Sequence, residues 1–405
     1  MKRDDMPSLL ILPFPPEPAD RHVLLASYKP PLTATLTQLK RQDKGSKLIV
    51  AVPCPILQGP YMRHKAFSWP QAQSLVANMY AIIAVICAQH SIATDVDAGP
   101  NSVDTTVVLI DHARNKRYQP DFRPAIEPNN TTIVDLATFA TAYHPWDRIF
   151  HVNSELGQQV FNVYLKLAEG KQALLHEQLV SVEGGLSLSI TKTPDADSPP
   201  QTPLYPVVCL GGTFDHLHPG HKLLLTAAAL LLQVPEKGSS NACKFIIGVT
   251  GDEMLKSKKY AEFVEPWSTR ARNVLLFLAD LLHLSPKGWK DGCSVEITET
   301  NGNAIASFRE GTITIQCVVI QDAYGPTITL EEIDALVVSG ETRSGGKAVN
   351  DKRKEKGWRT LEVFEVDVLD AEEVAGEEGP TRTEGFASKI SSTAIRQRRA
   401  EGRSR

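Results

Sequence analysis

The chain is poor in cysteine: six in 405 residues, with no CxxC pair and no Cys/His cluster. That excludes a disulfide framework and a zinc site of ordinary spacing. Cys54, Cys87, Cys209, Cys243, Cys293 and Cys317 lie scattered, mostly in apolar or strand-like runs, as reduced core thiols of a cytoplasmic protein would. Charge of one sign is also missing. Lys and Arg number 43 against 47 Asp and Glu, a net charge of −4, which argues against a dedicated nucleic-acid binder and favours nucleotide as the ligand. The longest apolar run, Met79 to Ala88, has ten residues, too short to span a bilayer and suited to a buried helix. The N-terminal MKRDDMPSLLILPFPPEP has only a short apolar stretch broken by prolines, so it is a poor secretory signal. A Walker A loop is lacking as well: the glycine required five residues before Gly346 is Glu341, and Lys347 is followed by Ala348.

What is present is ordinary soluble material, 42% hydrophobic and 22% charged, long enough for two domains with a core each. Residues 1–185 alternate strand-like runs (Lys47 to Val52, Thr106 to Ile110) with helical stretches (Ala72 to His90, Ser154 to Glu169), the pattern of an α/β domain. Asp111-His112 and His144-Pro145-Trp146-Asp147 read as loop pairs rather than catalytic ones. Regulatory, docking and degenerate enzymatic roles stay open for this domain. Residues 186–205 turn to Ser, Thr, Pro and Asp and read as a linker.

From 206 to 405 the alternation is regular: strands Val207 to Leu210, Phe245 to Val249, Ser294 to Thr298, Ile313 to Ile320, Ala335 to Ser339 and Leu361 to Val366, with helices His221 to Leu232, Trp267 to Leu284, Lys347 to Lys356 and a terminal one. This predicts a Rossmann-like domain with a mostly parallel sheet covered on both faces, in which ligands bind beyond the carboxyl ends of the strands. The unusual residues do follow strands: Gly211-Gly212-Thr213-Phe214-Asp215-His216-Leu217-His218-Pro219-Gly220-His221, Lys256-Ser257-Lys258-Lys259, Gly340-Glu341-Thr342-Arg343-Ser344-Gly345-Gly346 and Ile390-Ser391-Ser392-Thr393-Ala394-Ile395-Arg396. Two glycines, a threonine and two histidines one helical turn apart at a helix entrance suit a phosphate, because free N–H groups and the helix N-terminus converge there. Asp215 reads as a turn-fixing residue.

The first of these stretches resembles the opening signature of the H-x-G-H nucleotidyltransferase superfamily, and within it the eukaryotic phosphopantetheine adenylyltransferases. Val337 to Gly346 is similar to that family's V-V-S-x-E-T-x-x-G-G pattern, and Ile390 to Arg396 to the superfamily's I-S-S-T-x-x-R. The resemblance implies transfer of AMP from ATP, with its Mg²⁺, to 4′-phosphopantetheine, giving dephospho-CoA and pyrophosphate. It assigns Thr213, His221 and Lys258 to catalysis. Gly211, Gly212, Phe214, His218, Gly220, Ser391, Ser392, Thr393 and Arg396 fall to ATP, and Thr213, Lys258, Glu341 and Arg343 to the acceptor. Lys256 and Lys259 stay open beside Lys258. No protein ligands for a metal are expected. Asp370 to Glu384, acidic and glycine-containing, reads as a solvated linker, with a loop that closes over the site as the alternative. Related fusions carry a dephospho-CoA kinase after this domain, and none is expected here, since the sequence stops at Arg405. The N-terminal domain is then the expected docking place for proteins of coenzyme A synthesis. Rival readings are nicotinamide mononucleotide adenylylation, a CTP-dependent cytidylyltransferase (favoured by Arg382-Thr383-Glu384-Gly385), and a CoA-binding scaffold without catalysis.

Overall fold

The computed structural model describes residues 6–17, 19–59, 63–95, 99–118, 129–142, 145–171, 173–186, 200–282, 296–300, 302–367 and 391–403. The first half runs β1 (Ser8–Ile11), α1 (Arg21–Leu39), β2 (Ser46–Cys54), α2 (Trp69–Gln89), β3 (Val103–Asp111), β4 (Val134–Asp135), α3 (Leu136–Ala142), β5 (Ile149–Asn153), α4 (Glu155–Ala168) and β6 (Leu179–Glu183). Its strands form a parallel sheet in the order β4-β3-β2-β1-β5-β6. Such strands are buried on both faces, which is why β1 and most of β2 are apolar without alternation.

Helix α1 was not expected, because Pro30 and Pro31 stand inside it. A proline has no N–H to give the carbonyl four residues back, so the carbonyl of Ala26 lacks its helical donor. Leu186 fills the gap: its N–H donates to the Ala26 carbonyl at 3.2 Å and its own carbonyl accepts from Ser27 Oγ at 2.7 Å. The linker expected from residue 186 therefore begins strapped to α1. Residues 187–199 lie outside the described residues, and Thr202 beyond them pairs with Phe67 and caps the amide of Trp69.

The second half runs β7 (Val207–Gly212), α5 (Pro219–Ala229), β8 (Cys243–Thr250), α6 (Trp267–Leu282), β9 (Thr298–Thr300), β10 (Asn303–Phe308), β11 (Ile313–Ile320), β12 (Ala335–Ser339), α7 (Arg343–Glu355), β13 (Glu362–Val366) and α8 (Ser392–Arg403). The sheet order is β13-β12-β7-β8-β11-β10-β9, parallel from β13 to β11 and antiparallel in the β11-β10-β9 edge. Strand β10 is an addition to the expected pattern. In both halves the first strand lies inside the sheet and the order reverses beside it, between β1 and β5 and between β7 and β12, so each sheet has a switch-point crevice.

Helix α2 explains how the halves meet. It carries the longest apolar run and is, by length and composition, the one helix among the described residues that could cross a membrane. It is instead buried, packed against α1 on its own side and α5 on the other. One continuous apolar cluster runs from Leu10, Val50 and Val76 through Ile83 to Leu225, Phe245 and Leu278. Polar links cross the same plane: Trp69 Nε1 donates to the Ala227 carbonyl at 2.8 Å, and Arg309 reaches the carbonyls of Thr131 and Thr132 at 3.2 and 2.5 Å. The outer faces of the two sheets have their own cores, under α3 and α4 in the first half and under α7 in the second.

Candidate active site

Strand β7 ends on Gly211 and Gly212, and the chain then turns sharply into α5. A Cβ on Gly212 would sit 2.9 Å from the Phe214 ring, so only glycine lets that ring fold back under the strand end. Phe214 and His216 both hold left-handed backbone (φ 52° and 47°), a strained arrangement fixed by burial of both side chains. His218 caps α5, its Nδ1 accepting from the Gly220 N–H at 3.2 Å, and Pro219 fills the first helical position, where no N–H is needed. His221 lies one turn on, its ring stacked on His218 with centroids 3.9 Å apart.

Burial keeps both imidazoles neutral. It pushes His218 down to about 3, helped by the Lys222 and His216 charges, and holds His221 well below its ordinary value, helped by His218 and His216. His221 Nδ1 is buried and has no hydrogen-bond partner among the described residues. A polar atom orphaned at a helix entrance is the place where a ligand atom is owed.

Asp215, fully buried, is the hub of the turn. Its Oδ1 accepts from the Glu265 N–H at 2.9 Å and its Oδ2 pairs with Arg396 at 2.5 Å, while its carbonyl accepts from Ser392 Oγ at 2.8 Å. The second signature thus docks directly on the first. Arg396 is turned inward, its other nitrogens donating to the Lys259 carbonyl at 3.0 Å and to Thr393 Oγ1 at 3.1 Å. Ser391 Oγ accepts from the Ala394 N–H at 3.3 Å, and Thr393 is exposed in the first turn of α8. Ile390 and the acidic stretch Asp370 to Glu384 lie outside the described residues.

A second hub was not read as one from the sequence. Arg270, in the first turn of α6, is completely buried and gives its guanidinium to the carbonyls of Thr213 (2.6 Å), Thr250 (2.7 Å) and Glu265 (2.8 Å) and to Asp252 Oδ1 (2.6 Å). It ties the turn after β7, the turn after β8 and the segment before α6 into one rim. The only sequence signal was its place just after Pro266 at a helix start.

The lysine turn follows β8. Lys256, Lys258 and Lys259 are all exposed; Lys256 is drawn to Glu253 at 2.6 Å and the Lys259 carbonyl is taken by Arg396, while Lys258 projects from the turn. Across the crevice, β12 pairs with β7 through Val337 and Leu210, which carries Gly340–Thr342 to the same sheet end as Gly212. Glu341 sits in that 3-10 turn, and Arg343 pairs with Glu365 Oε2 at 2.5 Å on the surface. The predicted residues therefore fall at one end of one sheet. Thr213 is tied in through Arg270, and Ser392 and Arg396 through Asp215, all next to the turn that carries His218 and His221. Lys258 and Arg343 stand on the rim.

Asp215, His216 and Glu265 bring ligand atoms within 4.8 Å of one another, the spacing of a cation site. The donors do not fit a metal. Arg396 already occupies Asp215, and the Glu265 carboxylate accepts from the His216 N–H at 2.9 Å. The cluster fits a proton on His216 instead: burial alone would lower that imidazole, but Glu265 and Asp215 raise it, and Nε2 donates to the Phe263 carbonyl at 2.9 Å.

These titrations give the fold an acid limit. His218 (about 3) and His112 (about 4, through burial and Lys116) lie below the ordinary 6.5 of the unfolded chain. Below pH 6.5 the unfolded state binds more protons than the folded one, so stability present above that pH is lost as pH falls toward 4 and 3. His216, raised, is protonated in both states below 6.5 and adds no slope there. The thermal midpoint is expected to drop between pH 6.5 and 4.5, and His218→Gln should flatten the slope. A midpoint independent of pH over that range would show the imidazoles to be charged in the folded state.

Comparison with known proteins finds two families along the chain. The family described as cytidylyltransferase-like matches residues 209–398, and one described as a domain of unknown function matches residues 1–188. A phosphopantetheine adenylyltransferase of Saccharomyces cerevisiae is 35% identical over 203 residues, 50% of this chain and 52% of that protein. An uncharacterized protein of Schizosaccharomyces pombe is 35% identical over 196 residues, 48% of each. The aligned part of the chain spans about half the length of both. A phosphopantetheine adenylyltransferase of Pyrococcus abyssi is 31% identical over 189 residues, 47% of this chain and 87% of that protein.

Proposed function

The chain belongs to the cytidylyltransferase-like nucleotidyltransferases, among relatives named phosphopantetheine adenylyltransferase, and from that premise we propose that it transfers AMP from ATP to 4′-phosphopantetheine. A phosphate oxygen of the acceptor attacks the α-phosphorus of ATP, the bond from that phosphorus to the bridging oxygen breaks, and pyrophosphate leaves with the electron pair, giving dephospho-CoA. Such a step needs two anions held in line and positive potential on the leaving oxygens rather than a covalent nucleophile.

The observation that carries the reading is the orphaned His221 Nδ1 beside the capped entrance of α5, at the carboxyl end of β7. His221, Thr213 and the amides around Gly211 and Gly212 take the reacting phosphates, with His218 behind His221. The start of α8, with Ser391, Ser392 and Thr393, takes the departing phosphates, and Arg396 braces it through Asp215. Lys258, with Glu341 and Arg343 across the crevice, faces the acceptor. Mg²⁺ comes as part of MgATP, shielding the phosphates' charge.

Pyrophosphate release by the purified chain tests this. It is expected with ATP and 4′-phosphopantetheine, and not with nicotinamide mononucleotide. Release with CTP and phosphocholine alone would overturn the proposal in favour of a cytidylyltransferase.

A further inference from the structure

Both phosphate motifs lie in the second half of the chain, yet the groups behind them come from the first. Lys222, the residue after His221, is 1% exposed. Its backbone N–H donates to the His218 carbonyl, so it belongs to the turn that carries both histidines. Its Nζ pairs with Asp104 Oδ1 and donates to the Thr105 carbonyl at 3.0 Å, both at the start of β3 in the N-terminal sheet. The Phe277 ring lies 5.9 Å away, and Lys47 and Asp280, paired at 3.4 Å, complete a cluster of two cations and two carboxylates between the halves, buried at Lys222 and open to solvent at Lys47. Burial alone would raise the Asp104 carboxyl; the Lys222 and Lys47 cations hold it below its ordinary value instead, so the pair is ionic.

The second motif has the same backing. Arg399, one helical turn after Arg396 on α8, pairs at 2.9 Å with Asp95, a buried carboxylate in the segment after α2. Each helix that presents a phosphate motif is thus held from behind by a carboxylate of the N-terminal domain.

We propose that Asp104 is a positioning residue for nucleotidyl transfer, setting the first turn of α5 through Lys222, and that Asp95 does the same for α8 through Arg399. The N-terminal domain is then the back wall of the catalytic centre. This rests on the functional reading above, with His218 and His221 on the phosphates. The physical reason is leverage: transfer between two anions depends on in-line geometry, and a misplacement of about 1 Å costs on the order of a hundredfold in rate. Lys222 is fixed at its tip by Asp104 and at its root by the His218 carbonyl, so the ion pair sets where the two imidazoles sit.

The test uses the full-length chain in three variants. Asp104→Asn removes the carboxylate and leaves a buried cation. Asp104→Leu with Lys222→Met replaces the pair by apolar groups, a change that buried pairs commonly tolerate. Asp95→Asn addresses the second motif. Two readouts are taken: kcat and KM for pyrophosphate release, and the imidazole ¹⁵N resonances of His218 and His221 without substrate. The apolar pair is expected to keep a thermal midpoint close to the parent chain while kcat falls about ten- to a hundredfold, KM for MgATP moves little and both imidazole signals shift. Asp104→Asn should lose at least as much kcat, and Asp95→Asn should lower kcat with the His218 and His221 signals in place. A folded apolar-pair variant with parental kcat and unmoved imidazole signals would reduce Asp104 to a packing residue and overturn the inference. If the parent chain releases no pyrophosphate with any acceptor, the functional reading fails separately, and the imidazole shifts still decide the positioning.

Discussion

His221→Ala is expected to lower pyrophosphate release by two to three orders of magnitude while the thermal midpoint changes by no more than a few degrees. The magnitude is that of removing one preorganised donor from a site where charge develops, about 10²–10³ in turnover. The small structural cost follows from the surroundings. The ring stacks on His218 and stands 5.3 Å from Phe214, and its Nδ1 has no hydrogen-bond partner among the described residues. Alanine loses some ring contact but also relieves a buried polar atom, and it suits the first turn of a helix. His218 is the informative control. As the helix cap it accepts from the Gly220 N–H, so His218→Ala should lower stability as well as turnover. Unchanged turnover in His221→Ala would remove this residue from the chemistry, and a large fall in midpoint would make it a structural histidine.

Much of the catalytic half was legible because its signals are local. Glycines at the end of a strand, Pro219 after His218, and Ser391 before α8 each act within one turn of chain, and the structure puts β7, β11, β12 and α5 where the pattern placed them. The couplings were not legible, because they join residues that look like surface charges. Asp215 meets Arg396 across 181 positions and Lys222 meets Asp104 across 118, and nothing in either neighbourhood marks the partner. Arg353, in a helix that reads as polar throughout, is fully buried and bonds to the carbonyls of Thr327, Leu330, Glu331 and Arg359. Helix α1 was hidden by Pro30 and Pro31, since the groups that replace the missing helical bonds include Leu186, far along the chain. Its uninterrupted apolar run marked α2 as buried. It could not say that a second domain covers it.

That cover makes removal of the first half the most disruptive change expected. A fragment of residues 200–405 keeps every motif, and the Pyrococcus abyssi relative, 87% of which is matched by 189 residues of this chain, is a much shorter protein. In this chain, however, α5 and α6 belong to an apolar cluster shared with α1, α2 and the first sheet. Deleting residues 1–199 strips α2 from α5, uncovers buried leucines and alanines as one patch, and leaves Lys222, Arg309 and Arg399 without Asp104, the Thr131 and Thr132 carbonyls and Asp95. An exposed apolar surface of that kind drives association. The fragment is expected to collect in the insoluble fraction, or, if kept soluble, to bind a hydrophobic dye, unfold without a sharp transition and lose at least about 99% of turnover, the scale of a site displaced by about 1 Å. Adding back residues 1–199 in trans should restore part of both solubility and activity, because the two halves meet through packing and ion pairs. A soluble fragment with a cooperative transition and the turnover of the full chain would show that the shared core is dispensable, and that the N-terminal domain covers the catalytic half without shaping it.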